Sequence, residues 1–347
     1  MQYRKLGKTN FHISEVGFGT WQIADDPNMW VGADPVESMR CLHKFVENGG
    51  NFIDTAWVYG WDDAKPDIHP SEQLIGKFLK ESGNKENIYV ATKIAPKNML
   101  WPARIGKPIS EVFPHDHIVK SVEDSLRSLG VDNLDLVQFH VWLDDFAHES
   151  EWKETIQKLT KEGKVKFWGI SINDYQPSNC LQTLDTGLIA TIQTIFNIFH
   201  QKPTEKLFPY VRKHDIGIIA RVPLDEGGLT GTITMDTEFP EGDLRKYYFK
   251  GERRKELVKR LEALKTLLGS EAKTLPELAL RYILSFDEVS TVIPGMRHVK
   301  NVEANVSLSD GRKLSPSLLE ELKSYSWERN FYAVFDPTMK DTQYIEA

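Results

Sequence analysis

The chain has 347 residues, with 43 basic against 50 acidic side chains and a net charge of −7, a balance that favours solubility and argues against a general nucleic-acid or membrane-surface role. No window approaches the ~20 apolar residues that cross a bilayer, the N-terminal segment lacks the apolar core of a signal peptide, and two cysteines, Cys41 and Cys180, are too few for a disulfide framework. A cytoplasmic protein is the expectation, with its oligomeric state open.

In chain order, a hairpin is expected from Tyr3 to Ile13, then strands at 16–19, 51–54, 88–92, 134–140, 165–170, 191–195, 216–220 and 290–293. Amphipathic patterns predict helices near 35–48, 71–82, 116–129, 149–162, 176–185, 203–214, 252–285 and 298–306. Asp34-Pro35 and His69-Pro70-Ser71-Glu72 carry helix-start signals. Eight strands alternating with eight helices call for parallel strands joined by right-handed crossovers. A closed barrel and an open doubly wound sheet both use that pattern. No linker separates distinct halves, so residues 1–347 are expected to form a single domain, and barrels of one domain commonly exceed ~250 residues. Asp54, Lys93, His140, Ser171, Arg221 and Pro294-Gly295 each follow a strand run, where barrel sites form. The fold class expected is α/β, a (β/α)8 TIM barrel with an N-terminal β-hairpin and a C-terminal extension.

Residues 52–60 read Phe-Ile-Asp-Thr-Ala-Trp-Val-Tyr-Gly, an apolar run ending at Asp54 with Tyr59 shortly after it. Ile88-Tyr-Val-Ala-Thr-Lys93 ends at a cation and Leu134-Asp-Leu-Val-Gln-Phe-His140 at an imidazole. A phenol of pKa ~10 keeps its proton at pH 7 but yields it reluctantly. A neighbouring lysine ammonium is expected to lower that value, Asp54 to balance the lysine charge, and His140 to hydrogen-bond a substrate oxygen. Singly, each residue has an ordinary structural reading: Asp54 as a cap, Lys93 as a rim residue, Tyr59 as a packing aromatic, His140 as a core histidine beside Phe139 and Trp142.

The ordered series is more specific than any one residue. Leu6-Gly7, Val16-Gly-Phe-Gly-Thr-Trp21, Gly49-Gly-Asn-Phe-Ile-Asp-Thr-Ala56, Ser71-Glu-Gln-Leu-Ile-Gly76, Ser125-Leu-Arg-Ser-Leu-Gly130, Gly163-Lys-Val165, Gly169-Ile-Ser171 and Val292-Ile-Pro-Gly295 resemble the aldo-keto reductases over roughly residues 3 to 310. Within that family the chain looks most similar to the bacterial branch that resembles the potassium-channel β subunits. The resemblance implies a catalytic tetrad of Asp54, Tyr59, Lys93 and His140, and NADPH-dependent reduction of aldehydes or ketones to alcohols. It implies NADP(H) bound across the barrel mouth by Gly19, Thr20, Trp21 and Asp54, with Ser171 and Gln193 at the nicotinamide carboxamide. Pro223, Leu224, Gly228 and Gly231 belong to a stretch resembling the loop that wraps the pyrophosphate. Gly295 and Arg297 open a helix whose first turn suits a phosphate, with Asn301 and Asn305 facing the adenine.

Two positions depart from the family pattern. Many relatives carry asparagine after the Ser171 position, where Ile172 stands here, with Asn173 next. Arg221 occupies the place of an aromatic ring that stacks on nicotinamide; a guanidinium can stack on a planar ring but repels the positive oxidised form. Trp21, Trp57, Trp61 and Trp101 are expected to wall a substrate pocket, with 95–115 and 232–251 as candidate lids. The aromatic segment Trp327-Glu-Arg-Asn-Phe-Tyr-Ala-Val-Phe335 is expected to pack on the barrel, over its mouth or against another subunit. Rival readings are a non-catalytic or regulatory NADP(H)-binding subunit, and a metal-dependent hydrolase using Asp54, His140 and His115-Asp-His117. No metal motif of recognised spacing is present, and none is expected.

Overall fold

The chain enters as an antiparallel hairpin of β1 (Tyr3–Lys5) and β2 (His12–Ser14), as expected, in a computed structural model that describes residues 1–327 apart from 27, 28 and 175. The segment 328–335 of the aromatic tail lies outside the described residues. Eight strands follow: β3 (Phe18–Gly19), β4 (Phe52–Asp54), β5 (Tyr89–Ile94), β6 (Leu134–Phe139), β7 (Val165–Ser171), β8 (Thr191–Ile195), β9 (Gly217–Arg221) and β10 (Val289–Val292). They form one sheet in sequence order, every neighbouring pair parallel. Parallel bridges Val16↔Val292 and Gly19↔Gly295 join its first and last strands and close the ring. Gly19 is required there, because a Cβ would stand 2.9 Å from the carbonyl oxygen of Ile293. This is the expected (β/α)8 barrel.

The hairpin stoppers the amino-terminal end. Leu6 and Ile13 pack with Phe52, Ala91, Leu136 and Ile219 of the barrel interior, and Phe11 stacks on Tyr89 at 4.3 Å. A larger apolar layer lies between strands and helices. The polar site is thereby confined to the opposite, carboxyl end, where side chains after β3 to β10 face one cavity.

Two expected helices differ most in extent. The pattern over 252–285 resolves into two helices, Glu252–Lys265 and Leu275–Leu284. The first ends at Lys265 with Thr266 as its C-cap, and Thr274 starts the second by accepting a hydrogen bond from Glu277 N at 3.2 Å ahead of Pro276, a cap-plus-proline start that outweighs the continuous apolar periodicity. The helix expected over 176–185 covers only Leu181–Asp185. Short helices at Ile109–Val112 and Arg245–Tyr248 occupy the two expected lids, and Pro316–Leu322 belongs to the C-terminal extension.

Candidate active site

β4 and β5 set the centre of the site. Their register pairs Asp54 with Ala91, so Lys93, two residues beyond Ala91, points to the same interior face as Asp54. The Lys93 ammonium is fully buried and spends its three N–H donors on Asp54 Oδ2 (2.6 Å), the Thr55 carbonyl (2.8 Å) and Tyr59 Oη (3.2 Å). Asp54 Oδ1 accepts from Gln193 Nε2 at 2.7 Å and more weakly from Gln138 Nε2 at 3.5 Å. The Gln193 amide, expected at a nicotinamide carboxamide, is therefore turned to Asp54. Gln138, which the sequence reading did not single out, shares the task from β6.

Tyr59 is held as firmly. Its ring stacks on Trp21 (centroids 5.7 Å apart, 19° between planes) and meets the His140 ring edge-on at 5.6 Å. His140 follows β6, its backbone N–H donating to Ile94 O at 3.0 Å. The electrostatics correct one expectation: burial raises the Tyr59 pKa above its ordinary value, and Lys93 only partly offsets this. Burial alone would lower Lys93, but Asp54 and Tyr59 together outweigh it and the ammonium is held above its ordinary value. Burial, then the charges of Lys93 and Arg221, hold His140 well below 6.5, so its imidazole is neutral at pH 7.

These groups face a cavity of about 830 Å3 at the barrel mouth. Gly19, Thr20, Trp21, Asp54, Ser171, Gln193, Arg221, Pro223, Leu224, Gly295, Arg297 and Asn301 all line it. Gly228, Gly231 and Asn305 do not; from the same loop Gly227 and Thr230 take their place. Trp61 and Trp101 are wall residues, joined by Trp30, Met29 and Met99. Trp57 is not: its Nε1 donates to Asp124 at 3.3 Å and its ring packs 4.4 Å from His69, both away from the cavity. Both lids reach the mouth. Trp101 sets its ring 4.8 Å from His140, and Asn173 clamps the backbone of Ala103 (3.2 and 3.0 Å), which gives the residue after Ile172 a structural task. Leu244 N donates to Met29 O at 2.9 Å, and the Arg245 guanidinium lies 4.8 Å from the Trp30 ring centre. Arg297 donates to the Val31 carbonyl (3.0 Å) and the Gly32 carbonyl; burial and the neighbouring Arg245 charge lower its pKa. Trp327, the one described residue of the aromatic tail, donates its N–H to Phe199 O at 2.7 Å and lies under the Arg253 guanidinium at 4.2 Å. His115 and His117 are engaged with Thr155 Oγ1 (2.8 Å) and the Ala95 carbonyl (2.7 Å) respectively. Among the described residues no group of three or more His, Cys, Asp or Glu could hold a metal ion.

Behind Asp54 and Lys93, Ser71 Oγ is 2.8 Å from both Thr20 Oγ1 and Thr55 Oγ1, and Glu72 Oε1 accepts from Thr92 and Ser125 at 2.6 Å each. Burial pushes the Glu72 carboxyl up to about 7 from 4.5. A carboxyl raised in the folded state contributes stability that is present below its unfolded pKa and is lost as pH rises through the folded one. Glu72→Gln is therefore expected to narrow the loss of thermal stability between pH 5 and pH 9, the variant gaining on the wild type by roughly 2–3 kcal/mol at the alkaline end. Paired melts across that range test it; parallel curves would refute it.

Fold and site together define a class: a parallel barrel with a buried Lys–Asp pair serving a tyrosine and a histidine at one cavity. Comparison with known proteins narrows it. The family model described as "Aldo/keto reductase family" matches residues 15–326, and this chain belongs to the aldo/keto reductase family, whose members are oxidoreductases. It is 29% identical over 310 residues to the aldo-keto reductase YhdN of Bacillus subtilis (strain 168), covering 88% of this chain and 87% of that protein. It is 28% identical over 312 residues to an NADH-specific methylglyoxal reductase of Escherichia coli (strain K12), covering 87% and 91%. The solved glycerol dehydrogenase AKR11B4 of Gluconobacter oxydans superposes with a TM-score of 0.74 at 27% identity, covering 99% of each chain.

Proposed function

We propose that this chain reduces a carbonyl group of a small molecule to an alcohol, with Tyr59 as the proton donor and NADPH as the reductant. The observation that carries the reading is the contact of Lys93 Nζ with Tyr59 Oη at 3.2 Å, with the His140 ring against that tyrosine on the same cavity. A nicotinamide cofactor fits the residues present. The cavity is large enough for an extended dinucleotide, Arg297 offers a guanidinium to a phosphate beside the start of helix Val299–Ser307, whose Val299 N–H already donates to Glu37 Oε1 at 3.1 Å, and Ser171 and Asn301 add polar groups to the lining. When bound, the cofactor supplies the hydride.

The protein does the rest. Neutral His140 and protonated Tyr59 both present donors to one carbonyl oxygen, which polarises the C=O bond. As the hydride adds to carbon, the proton leaves Tyr59 Oη for the oxygen, giving the alcohol. The phenolate left on Tyr59 lies beside the Lys93 ammonium, so the negative charge forms where a cation already waits. Asp54 keeps that ammonium in place, and Gln193 and Gln138 fix Asp54. The aromatic and thioether walls, Trp30, Trp61, Trp101, Met29 and Met99, favour carbonyl compounds with apolar bodies and exclude water.

The test is a tryptophan-fluorescence titration with NADPH and with NADH, followed by a rate assay on a panel of aldehydes in the presence of chelator. Tight NADPH binding with turnover supports the reading; binding without turnover of any carbonyl supports a regulatory subunit instead. One E. coli relative is NADH-specific by name, so preference must be measured. Arg297→Ala is expected to weaken NADPH by about 10–100-fold while shifting NADH by less than threefold, the loss of one charge-assisted phosphate contact. Equal loss for both would remove Arg297 from phosphate recognition.

A further inference from the structure

Arg221 ends β9, yet its side chain reaches the loop after β7. Its Nη2 donates to the Ile172 carbonyl at 3.1 Å and to Asp174 Oδ1 at 2.5 Å. β8 lies between β9 and β7 in the sheet, so the side chain crosses over the end of β8, spanning ~10 Å between strand axes. It thus lies across the carboxyl end of the barrel, on the cavity shared by Tyr59, His140, Ser171 and Gln193. The pair is mostly but not wholly covered, with 23% of the Arg221 side chain and 17% of the Asp174 side chain exposed. Both hydrogen bonds use one nitrogen. Nε at the inner end of the guanidinium is buried and has no partner among the described residues.

A brace between β9 and the β7 loop would explain the two bonds to Nη2. It would not explain a guanidinium laid along a ligand cavity with a buried donor left over, since such a donor is costly unless something in the cavity accepts from it. The charge of Arg221 is felt at both Tyr59 and His140. A ligand group standing between Arg221 and those two residues lies closer still, and any change in that group's charge registers on the Arg221–Asp174 pair.

We propose that Arg221 and Asp174 together set the preference of this cavity for the redox state of its cofactor, the arginine disfavouring the cationic oxidised nicotinamide and the aspartate tempering that effect. The inference rests on the nicotinamide reading above. It makes Arg221 a specificity residue facing the cofactor and Asp174 the residue that positions and partly neutralises it. Hydride transfer leaves a positive ring where a neutral one was bound, beside a fixed cation, so the pair favours uptake of the reduced form and release of the oxidised form.

The test compares dissociation constants for NADP+ and NADPH, read by tryptophan fluorescence without substrate, in the wild type, Arg221→Met, Arg221→Lys and Asp174→Asn. Arg221→Met keeps the length and removes the charge; it is expected to lower the ratio of oxidised to reduced dissociation constants by about tenfold, well under the roughly thousandfold of a bare charge ~4 Å away at an effective dielectric near 20, because the Asp174 carboxylate offsets most of it. Asp174→Asn is expected to raise the same ratio, and Arg221→Lys to keep it within about threefold because the charge remains. A purely structural brace weakens both redox forms alike, leaving every ratio unchanged. Unchanged ratios, or Arg221→Met and Asp174→Asn moving in the same direction, overturn the proposal; should one variant fail to fold, the sign of the other decides. A wild type that binds neither form overturns the cofactor reading itself, which separates that failure from this one.

Discussion

Tyr59→Phe is expected to cut carbonyl reduction by three or more orders of magnitude while leaving the dissociation constant for NADPH within about threefold. The substitution removes one oxygen and keeps the ring, so the stack on Trp21 at 5.7 Å and the edge contact with His140 at 5.6 Å survive. What is lost is the proton delivered in the transition state, together with a donor to the developing alkoxide, each worth ~10²–10⁴ in rate in enzymes that use them. The loss is predicted to fall on kcat, because the phenol contributes to the transition state and little to ground-state binding. The pH profile carries a second signature. Tyr59 is held above its usual pKa of 10.0 by burial, and His140 is held well below 6.5 by burial and two cations. Neither therefore changes charge between about pH 6.5 and 9.5, and kcat for reduction is expected to be flat across that window. A variant within tenfold of wild-type kcat would remove Tyr59 from the chemistry, whatever the family resemblance. A bell centred near pH 7 would instead assign the proton to another group.

The pH argument also marks the boundary between sequence and structure. Asp54, Lys93 and His140 were readable because a short apolar run ends at each and parallel strands bring those ends together; Tyr59, five residues past Asp54, joined them through the family resemblance. The direction of the Tyr59 shift was not readable. It depends on how far Trp21 and the neighbouring groups keep water from the half-buried phenol. Gln193 shows the same gap: it lines the cavity, but that its Nε2 is also held by Asp54 at 2.7 Å could not be read from a polar strand end. Trp57 and Trp61 sit in one loop with equal claim to the pocket wall, but Asp124 and His69 on neighbouring elements capture the first. The break near Gly269 was legible in Thr274-Leu-Pro-Glu277; apolar periodicity had masked it. Arg221 is the reverse case: its departure from the family was visible in sequence, but not the Asp174 partner that turns a free cation into a pair.

Lys93→Met is expected to destabilise the fold by roughly 3–5 kcal/mol, the usual penalty for stranding one charge of a buried pair. Lys93 is fully buried and Asp54 is 2% exposed, so no solvent screens the carboxylate once the ammonium is gone, and the amides of Gln193 and Gln138 are neutral replacements for an ion. Asp54→Asn alone strands the ammonium in the same way. The double variant Lys93→Met, Asp54→Asn strands nothing, and replacing both members of a buried pair is often close to neutral. The two single losses are thus predicted to exceed the double loss by several kcal/mol in denaturant unfolding, a coupling energy that only direct neighbours show. Activity should follow a different pattern. All three variants lack the cation beside Tyr59 Oη, or the residue that holds it, so turnover should stay low in the stable double variant as well as in the unstable singles. Restored stability without restored rate would separate the two tasks of Lys93: it stabilises the fold only because Asp54 is there, and it serves the reaction because Tyr59 is 3.2 Å away. If the double variant recovered both, the pair would be structural and the proton donor would need no cation.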